Sequence, residues 1–198
     1  MFIRFSGCHL KCRWCDTKYA LPLDSGTDYQ IDEIKDLIIN ELEPFTYKVN
    51  FTGGEPLLQT GAVIELADFI KKQTNLKTYM ESSCFDSELF SKVLPYIDIC
   101  KVEFKTDDSK VVEDEEYDNL ILNEIKCLEL AVESNKATYI KIVVTNPTNL
   151  ESFKNLVYNI SKKIKPSDIL GFIIQPSFGI DQPTVNKLLD TYDIVQPM

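Results

Sequence analysis

Three cysteines near the start of the chain have a spacing that can hold a metal cluster. Cys8, Cys12 and Cys15 lie in the stretch GCHLKCRWC, with gaps of three and then two residues. A structural zinc site takes four ligands and a disulfide joins two cysteines, so three thiolates complete neither. A 4Fe–4S cluster is commonly held by four thiolates, and with three it keeps one iron open for another ligand. The triplet therefore predicts such a cluster, with a zinc site or a C-x-x-C redox pair as alternatives.

A second candidate segment is FTGGEPLLQ, which contains Gly53, Gly54 and Glu55. Two adjacent glycines are by themselves a weak signal, because they most often mark a tight turn. Glycines also let the backbone approach a ligand closely, and a carboxylate can pair with an ammonium group. Beside the cysteine triplet, this segment predicts part of a binding site.

The elements that must position these segments alternate strictly between strand and helix patterns. TYIKIVVT is the clearest strand, and NLESFKNLVYNISKKI has helical spacing. Asp32 is the predicted N-cap of the first helix, Pro44 its stop, and Asp86 the predicted N-cap of the third helix. Six strand–helix pairs imply parallel strands with right-handed crossovers, whereas eight would close a barrel. The prediction is an α/β fold, an incomplete (βα)6 barrel or an open twisted sheet, as a single domain over residues 1–198.

In either architecture, ligands bind at the carboxyl ends of the strands. The cysteine loop follows the first predicted strand and the glycine turn follows the second. The segment ESSC follows the third strand, and QPSFG follows the sixth. We therefore expect all four segments to meet in one site.

Composition excludes several classes of function. The formal charge of −10 argues against direct binding to nucleic acid, which needs a basic surface. His9 is the only histidine, which nearly excludes a Ser-His-Asp triad. No apolar run reaches the roughly 20 residues of a membrane span, and no signal peptide precedes the cysteines, so we expect a cytoplasmic protein. In that reducing compartment Cys84, Cys100 and Cys127 are expected to be buried thiols.

C-x3-C-x2-C after the first strand, with GGEP after the second, resembles the radical S-adenosylmethionine (SAM) enzymes. The resemblance implies that Cys8, Cys12 and Cys15 hold a 4Fe–4S cluster whose open iron is chelated by SAM. Reductive cleavage of SAM would then yield a 5′-deoxyadenosyl radical that abstracts a hydrogen atom. Gly53, Gly54 and Glu55 would line the methionine end of the cofactor.

The length of the chain fits two groups of short radical SAM enzymes. One is the glycyl-radical activases, including the activator of anaerobic ribonucleotide reductase. The other is 7-carboxy-7-deazaguanine synthase, of queuosine and 7-deazapurine biosynthesis, which FIRFSGCHLKCRWCDTKYAL resembles throughout. That resemblance implies ring contraction of 6-carboxy-5,6,7,8-tetrahydropterin to 7-carboxy-7-deazaguanine with loss of ammonia, using SAM catalytically and Mg²⁺.

The same resemblance implies roles for individual residues. Thr17 would bind Mg²⁺ through its hydroxyl, which suits a hard cation. Arg4 would hold the pterin carboxylate as a bidentate fork. The remaining implied roles are support of the cofactor region by Asp16, contacts to SAM from Glu81, Ser82 and Lys105, and hydrogen bonds to the pterin ring from Gln175 and Ser177.

The implied partners are a pterin substrate, a reducing electron donor of the flavodoxin or ferredoxin type and a second copy in a homodimer, with no direct nucleic acid and no membrane. The chain departs from the family at both ends. Family members often start earlier, with a Gly-Glu-Gly segment, and continue to a Pro-Gln segment with a histidine. The chain would then be a clipped or a divergent short form of the family, which leaves open whether its substrate pocket is complete.

Overall fold

Six parallel strands form one sheet in the computed structural model, which describes residues 1–197. The strands lie side by side in chain order, and each one pairs in parallel with the next. Their bounds are β1 Phe2–Phe5, β2 Lys48–Gly53, β3 Lys77–Ser82, β4 Ile99–Phe104, β5 Ala137–Val144 and β6 Gly171–Pro176.

An α-helix follows each strand along the chain, as the alternating pattern predicted. Their bounds are α1 Ile31–Asn40, α2 Thr60–Gln73, α3 Ser87–Val93, α4 Asp114–Glu133, α5 Leu150–Ser161 and α6 Val185–Val195. β1 and β6 stand at the two ends of the strand order, so the sheet is an incomplete barrel. The predicted fold class is confirmed.

The core lies between the sheet and the helices. Val49, Phe51, Met80 and Ile140 point from the strands into this layer, where they are at most 1% exposed. Because side chains alternate across a strand, the residues between them face the inside of the partial barrel. Cys84, Cys100 and Cys127 are fully buried free thiols, as predicted.

The starts of α3 and α1 test two N-cap predictions, of which one is confirmed and one is wrong. Asp86 caps α3, its carboxylate accepting from the backbone N–H groups of Glu88 and Leu89. The predicted cap at Asp32 is wrong, because α1 begins at Ile31 and Asp32 lies within its first turn. Its N-cap is Gln30, which forms a capping box with Glu33.

The acidic stretch that starts at Val111 enters α4, whose first turn holds Asp114, Glu115 and Glu116. Negatively charged carboxylates at this position interact favourably with the positive end of the helix dipole and stabilise the start of the helix. Within residues 1–197, none of the helices is long and apolar enough to cross a membrane.

Candidate active site

A cleft of about 250 Å³ opens at the carboxyl ends of the strands. The four predicted segments meet there. All the residues predicted to bind a cofactor, metal or substrate line this cleft: Arg4, Cys8, Cys12, Cys15, Asp16, Thr17, Gly53, Gly54, Glu55, Glu81, Ser82, Lys105, Gln175 and Ser177.

The cysteine loop is fixed to the rest of the fold at several points. Gly7 and Cys8 donate their backbone N–H groups to the carbonyls of Ala20 and Leu21, at 2.8 and 3.0 Å. Leu10 is 2% exposed and packs in a small apolar cluster with residues at the start of α4. This anchoring brings all three cysteines to the cleft wall and leaves their side chains only half-buried.

The diglycine turn packs directly against the start of the cysteine loop. The backbone N–H groups of Gly54 and Glu55 donate to the carbonyls of Phe5 and Gly7, both at 2.8 Å. A Cβ on Gly53, whose φ is +136°, would lie 2.1 Å from the Phe5 oxygen, and one on Gly54 would lie 2.1 Å from the Gly7 oxygen. The glycines are therefore needed for a backbone-to-backbone approach beside Cys8, a role that the sequence did not predict.

The donor set fits an iron–sulfur cluster better than a single ion. Within residues 1–197, no three His, Cys, Asp or Glu side chains converge on one ion position. A cube receives each thiolate on a different iron, so its ligands need not share one point. Burial raises the pKa of the Cys8 thiol to about 11 and also raises that of Cys12. Binding of a metal cluster would therefore displace protons from these thiols.

Glu55 is a buried carboxyl group with four hydrogen-bond donors. Its oxygens accept from the backbone N–H groups of Leu57 and Ser83 and from the hydroxyls of Ser82 and Ser83, at 2.7–3.0 Å. Burial raises the pKa of Glu55 despite these bonds. The carboxyl group thus ties the turn after β2 to the segment after β3, and its predicted contact with SAM stays a prediction.

A charged network on the inner face of the sheet was not predicted as a unit. Lys101 lies opposite Glu81 in the register of β3 and β4, and the two form an ion pair. Glu103 lies opposite Lys141 across β4 and β5, at 3.0 Å, and also pairs with Lys105. The sequence signal was available, because KVEFK places charged residues at every second position of a strand, all on one face.

The network fixes the ionisation of its members. Burial alone would raise the pKa of Glu103, but Lys105, Lys141 and Lys101 hold it far below the usual range. Burial alone would lower the pKa of Lys105, but the charge of Glu103 raises it well above its ordinary value. Both groups are therefore permanently charged at neutral pH.

The residues predicted to meet Mg²⁺ and the substrate also line the cleft, and they range from the exposed Arg4 to the buried Ser177. The Thr17 hydroxyl is 3.6 Å from the Cys15 sulfur. The exposed Arg4 guanidinium lies 5.8 Å from the centre of the Tyr19 ring. The Ser177 hydroxyl donates to the Asp181 carbonyl at 3.0 Å, which leaves its oxygen free to accept. Their roles stay predictions.

Comparison with known proteins identifies the family. The 4Fe-4S single cluster domain family matches residues 1–119. The 7-carboxy-7-deazaguanine synthase of Methanocaldococcus jannaschii is 30% identical across 96% of this chain and 81% of its own. The synthase of Clostridium acetobutylicum is 31% identical, with the same two coverages. The chain belongs to the 7-carboxy-7-deazaguanine synthase family. It is therefore a radical SAM enzyme, and the resemblance inferred from the sequence is confirmed.

Solved structures support the same fold. Methylornithine synthase has a TM-score of 0.62 and 16% identity, over 99% of this chain and 61% of its own. The protein anSMEcpe with bound AdoMet has a TM-score of 0.60 and 16% identity, over 96% of this chain and 57% of its own. At this identity the likeness shows the fold alone. The support for a 4Fe–4S cluster and SAM as cofactors comes from the cluster domain and from membership of the synthase family. The activase and zinc alternatives are set aside.

Proposed function

We propose that this chain contracts the ring of 6-carboxy-5,6,7,8-tetrahydropterin to 7-carboxy-7-deazaguanine, with loss of ammonia. The observation that carries the proposal is the convergence of every predicted site residue on one cleft, in a chain whose family is shown. The cleft also has the polar lining that a flat heterocycle with several donors and acceptors needs for orientation.

Cys8, Cys12 and Cys15 would hold the cluster. When bound, the cluster and SAM supply abstraction of a hydrogen atom from the substrate. Gly53 and Gly54 would keep the turn after β2 close to the cysteine loop. Glu55, Asp16, Ser82 and Lys105 would bind or support the cofactor from the walls of the cleft, where each of them lies.

Thr17 would provide a hydroxyl ligand to Mg²⁺, with substrate oxygens completing the shell. Arg4 would pair with the substrate carboxylate, because its exposed guanidinium lines the cleft and can form two parallel hydrogen bonds. Gln175 and Ser177, on the β6 side of the cleft, would bond the pterin ring.

The reaction also needs an electron donor. A low-potential flavodoxin or ferredoxin would deliver the electron in the cytoplasm. A second copy would form a homodimer, and the two open strand edges of the sheet are surfaces that such pairing could cover.

The test uses anaerobically reconstituted protein with SAM, Mg²⁺, a reductant and the carboxytetrahydropterin. We expect 7-carboxy-7-deazaguanine and ammonia in equal amounts, with iron and sulfide bound to the protein. Cys8→Ala should lose the cluster and the activity, whereas Cys100→Ala, a buried cysteine outside the cleft, should keep both. Zinc without iron, or 5′-deoxyadenosine without product, would reject the proposal.

A further inference from the structure

The proposed reaction requires a proton transfer that none of the roles above provides, and this inference rests on that proposed function. Conversion of the tetrahydropterin to the deazaguanine removes one ammonia molecule and is otherwise balanced in atoms and electrons. The departing nitrogen must gain hydrogen that a ring carbon loses. A side chain in the cleft that accepts a proton from carbon and returns it to nitrogen would perform this step.

Several ionisable groups of the cleft are unsuited to that task. Both oxygens of Glu55 are occupied by the donors named above, and the carboxyl group is 1% exposed. Glu103 is held between Lys105 and Lys141, which keep it ionised. The Arg4 guanidinium only donates hydrogen bonds and has no acceptor atom. The three cysteines are the proposed cluster ligands, and Asp16 follows Cys15 directly in their loop.

Glu81 has the geometry that these groups lack. Its side chain is 27% exposed and lines the cleft. One carboxylate oxygen accepts from the Asn50 amide at 2.7 Å, and the other pairs with the Lys101 ammonium. Each oxygen has a second lone pair, so both can still accept a proton. Ser82, the next residue, points to the opposite face and bonds Glu55 instead, so the two neighbours serve different purposes.

We propose that Glu81 is the catalytic acid–base residue for ammonia loss, positioned by Lys101 and Asn50. The Glu81 carboxylate accepts a proton from a ring carbon, and the electron pair of that C–H bond forms the new ring double bond as the carbon–nitrogen bond breaks. The departing nitrogen then takes the proton from Glu81 and leaves as ammonia. The carboxylate is restored, and no oxidant or reductant is used in this step.

The neighbouring charges favour the ionised form of Glu81, which can accept a proton. Burial alone would raise its pKa, but Lys101 outweighs burial and lowers it, with Asn50 and Lys141 contributing in the same direction. Tyr79, on the same strand, remains neutral because burial raises its pKa above the ordinary value. Lys101 has a lowered pKa, caused first by burial and then by the charge of Lys141, while Glu103 and Glu81 oppose that shift.

The first test compares Glu81→Gln with Glu65→Gln in the reconstituted holoenzyme. Glu65 is a surface ion-pair residue outside the cleft, so it controls for loss of a carboxylate. We expect Glu81→Gln to lower ammonia and product formation by about 10²–10⁴-fold. Transfer of deuterium from labelled substrate into SAM should continue, and substrate affinity, measured by calorimetry, should change less than about threefold. Glu65→Gln should match the wild type in all three measurements.

Each other outcome overturns the inference. Normal ammonia release by Glu81→Gln shows that another group moves the proton. Parallel loss of affinity and deuterium transfer shows that Glu81 binds the substrate or cofactor instead. Failure of the wild type to form product removes the proposed function itself, and this inference falls with it. Loss of product formation in Glu81→Gln alone, with an active wild type, is the expected result and leaves the proposed function standing.

A second test uses the pH profile of product formation. Lys101→Met removes the cation that lowers the pKa of Glu81, so the acid limb of the kcat profile should move to higher pH. Lys71→Met, which breaks an exposed ion pair with Asp98, should leave that limb in place. An unshifted limb in folded Lys101→Met contradicts the positioning role, because a merely structural lysine would lower the rate equally at every pH.

Discussion

Substitution of Gly54 by alanine tests how the cluster loop is held. The new Cβ would lie 2.1 Å from the Gly7 oxygen, 2.5 Å from the Gly7 carbonyl carbon and 2.8 Å from the Ala20 oxygen. Non-bonded heavy atoms prefer roughly 3.5–4.0 Å, so a backbone segment must move by about 1 Å. All three contacts are backbone atoms, and a rotamer change cannot relieve them.

The magnitude follows from this overpacking. Added volume at a tightly packed position typically costs about 1–3 kcal/mol. For a domain of this size that lowers Tm by roughly 2–12 °C. Cys8 follows Gly7 directly, and functional groups need to hold their geometry within about 0.5 Å. We therefore expect reconstituted Gly54→Ala to bind less iron and to lose activity in proportion to the iron lost.

The assay is iron and sulfide content after anaerobic reconstitution, together with thermal unfolding of the cluster-free protein. Gly61→Ala is the matched control, because nothing lies within 4 Å of its added Cβ in α2. Alanine there should be neutral or stabilise by up to about 1 kcal/mol. Full iron content and an unchanged Tm in Gly54→Ala would refute the close-approach role of this glycine.

Three further predictions concern other parts of the chain. Burial raises the pKa of Glu124 well above its ordinary value, so its native form binds a proton that the unfolded chain releases above about pH 4.5. The wild type should lose stability as pH rises towards that raised pKa, and Glu124→Gln should flatten this slope in denaturant unfolding at about pH 6 and about pH 8. Thr17→Val should abolish stimulation of product formation by Mg²⁺ while the cluster is retained. Asp86→Ala removes the α3 cap and should cost about 1 kcal/mol in urea unfolding without changing iron content.

Their controls use matched positions. Glu129→Gln, on the same helix but in a surface ion pair, should leave the pH slope of stability unchanged. An equally steep slope in Glu124→Gln would contradict a neutral buried carboxyl group there. Unaltered Mg²⁺ stimulation in Thr17→Val would show that this hydroxyl does not bind the metal. Equal stability of Asp86→Ala and wild type would show that its two backbone hydrogen bonds are replaced by water.

Much of the fold was readable from local patterns. The alternating strand and helix periods predicted six parallel units, and Asp86 was recognised as a cap because Asp before an apolar periodic segment accepts backbone N–H bonds. The cap of α1 was misplaced because Gln30 is not a common N-cap residue, and its backbone N–H here donates to the Glu33 carboxylate at 2.7 Å.

The candidate site was predicted through its motifs, and the network beneath it was missed. Cysteine spacing and GGEP are continuous in sequence, so their chemistry can be recognised without a structure. Glu81, Lys101 and Asn50 lie on three different strands and meet only through the sheet register. The strand register decides which of these residues lie opposite one another, and that register cannot be predicted from their separation along the sequence.

The sequence by itself indicated the cofactor class, because three cysteines at fixed short spacing and a diglycine turn are local features that together resemble the radical SAM enzymes. It also determined that their loops share one end of a parallel sheet, because each follows a strand. Only the tertiary structure decided why the glycines are required and which carboxylates remain available in the cleft. Both depend on distances of a few ångströms between segments distant in sequence, which arise when the strands pair and the loops pack together.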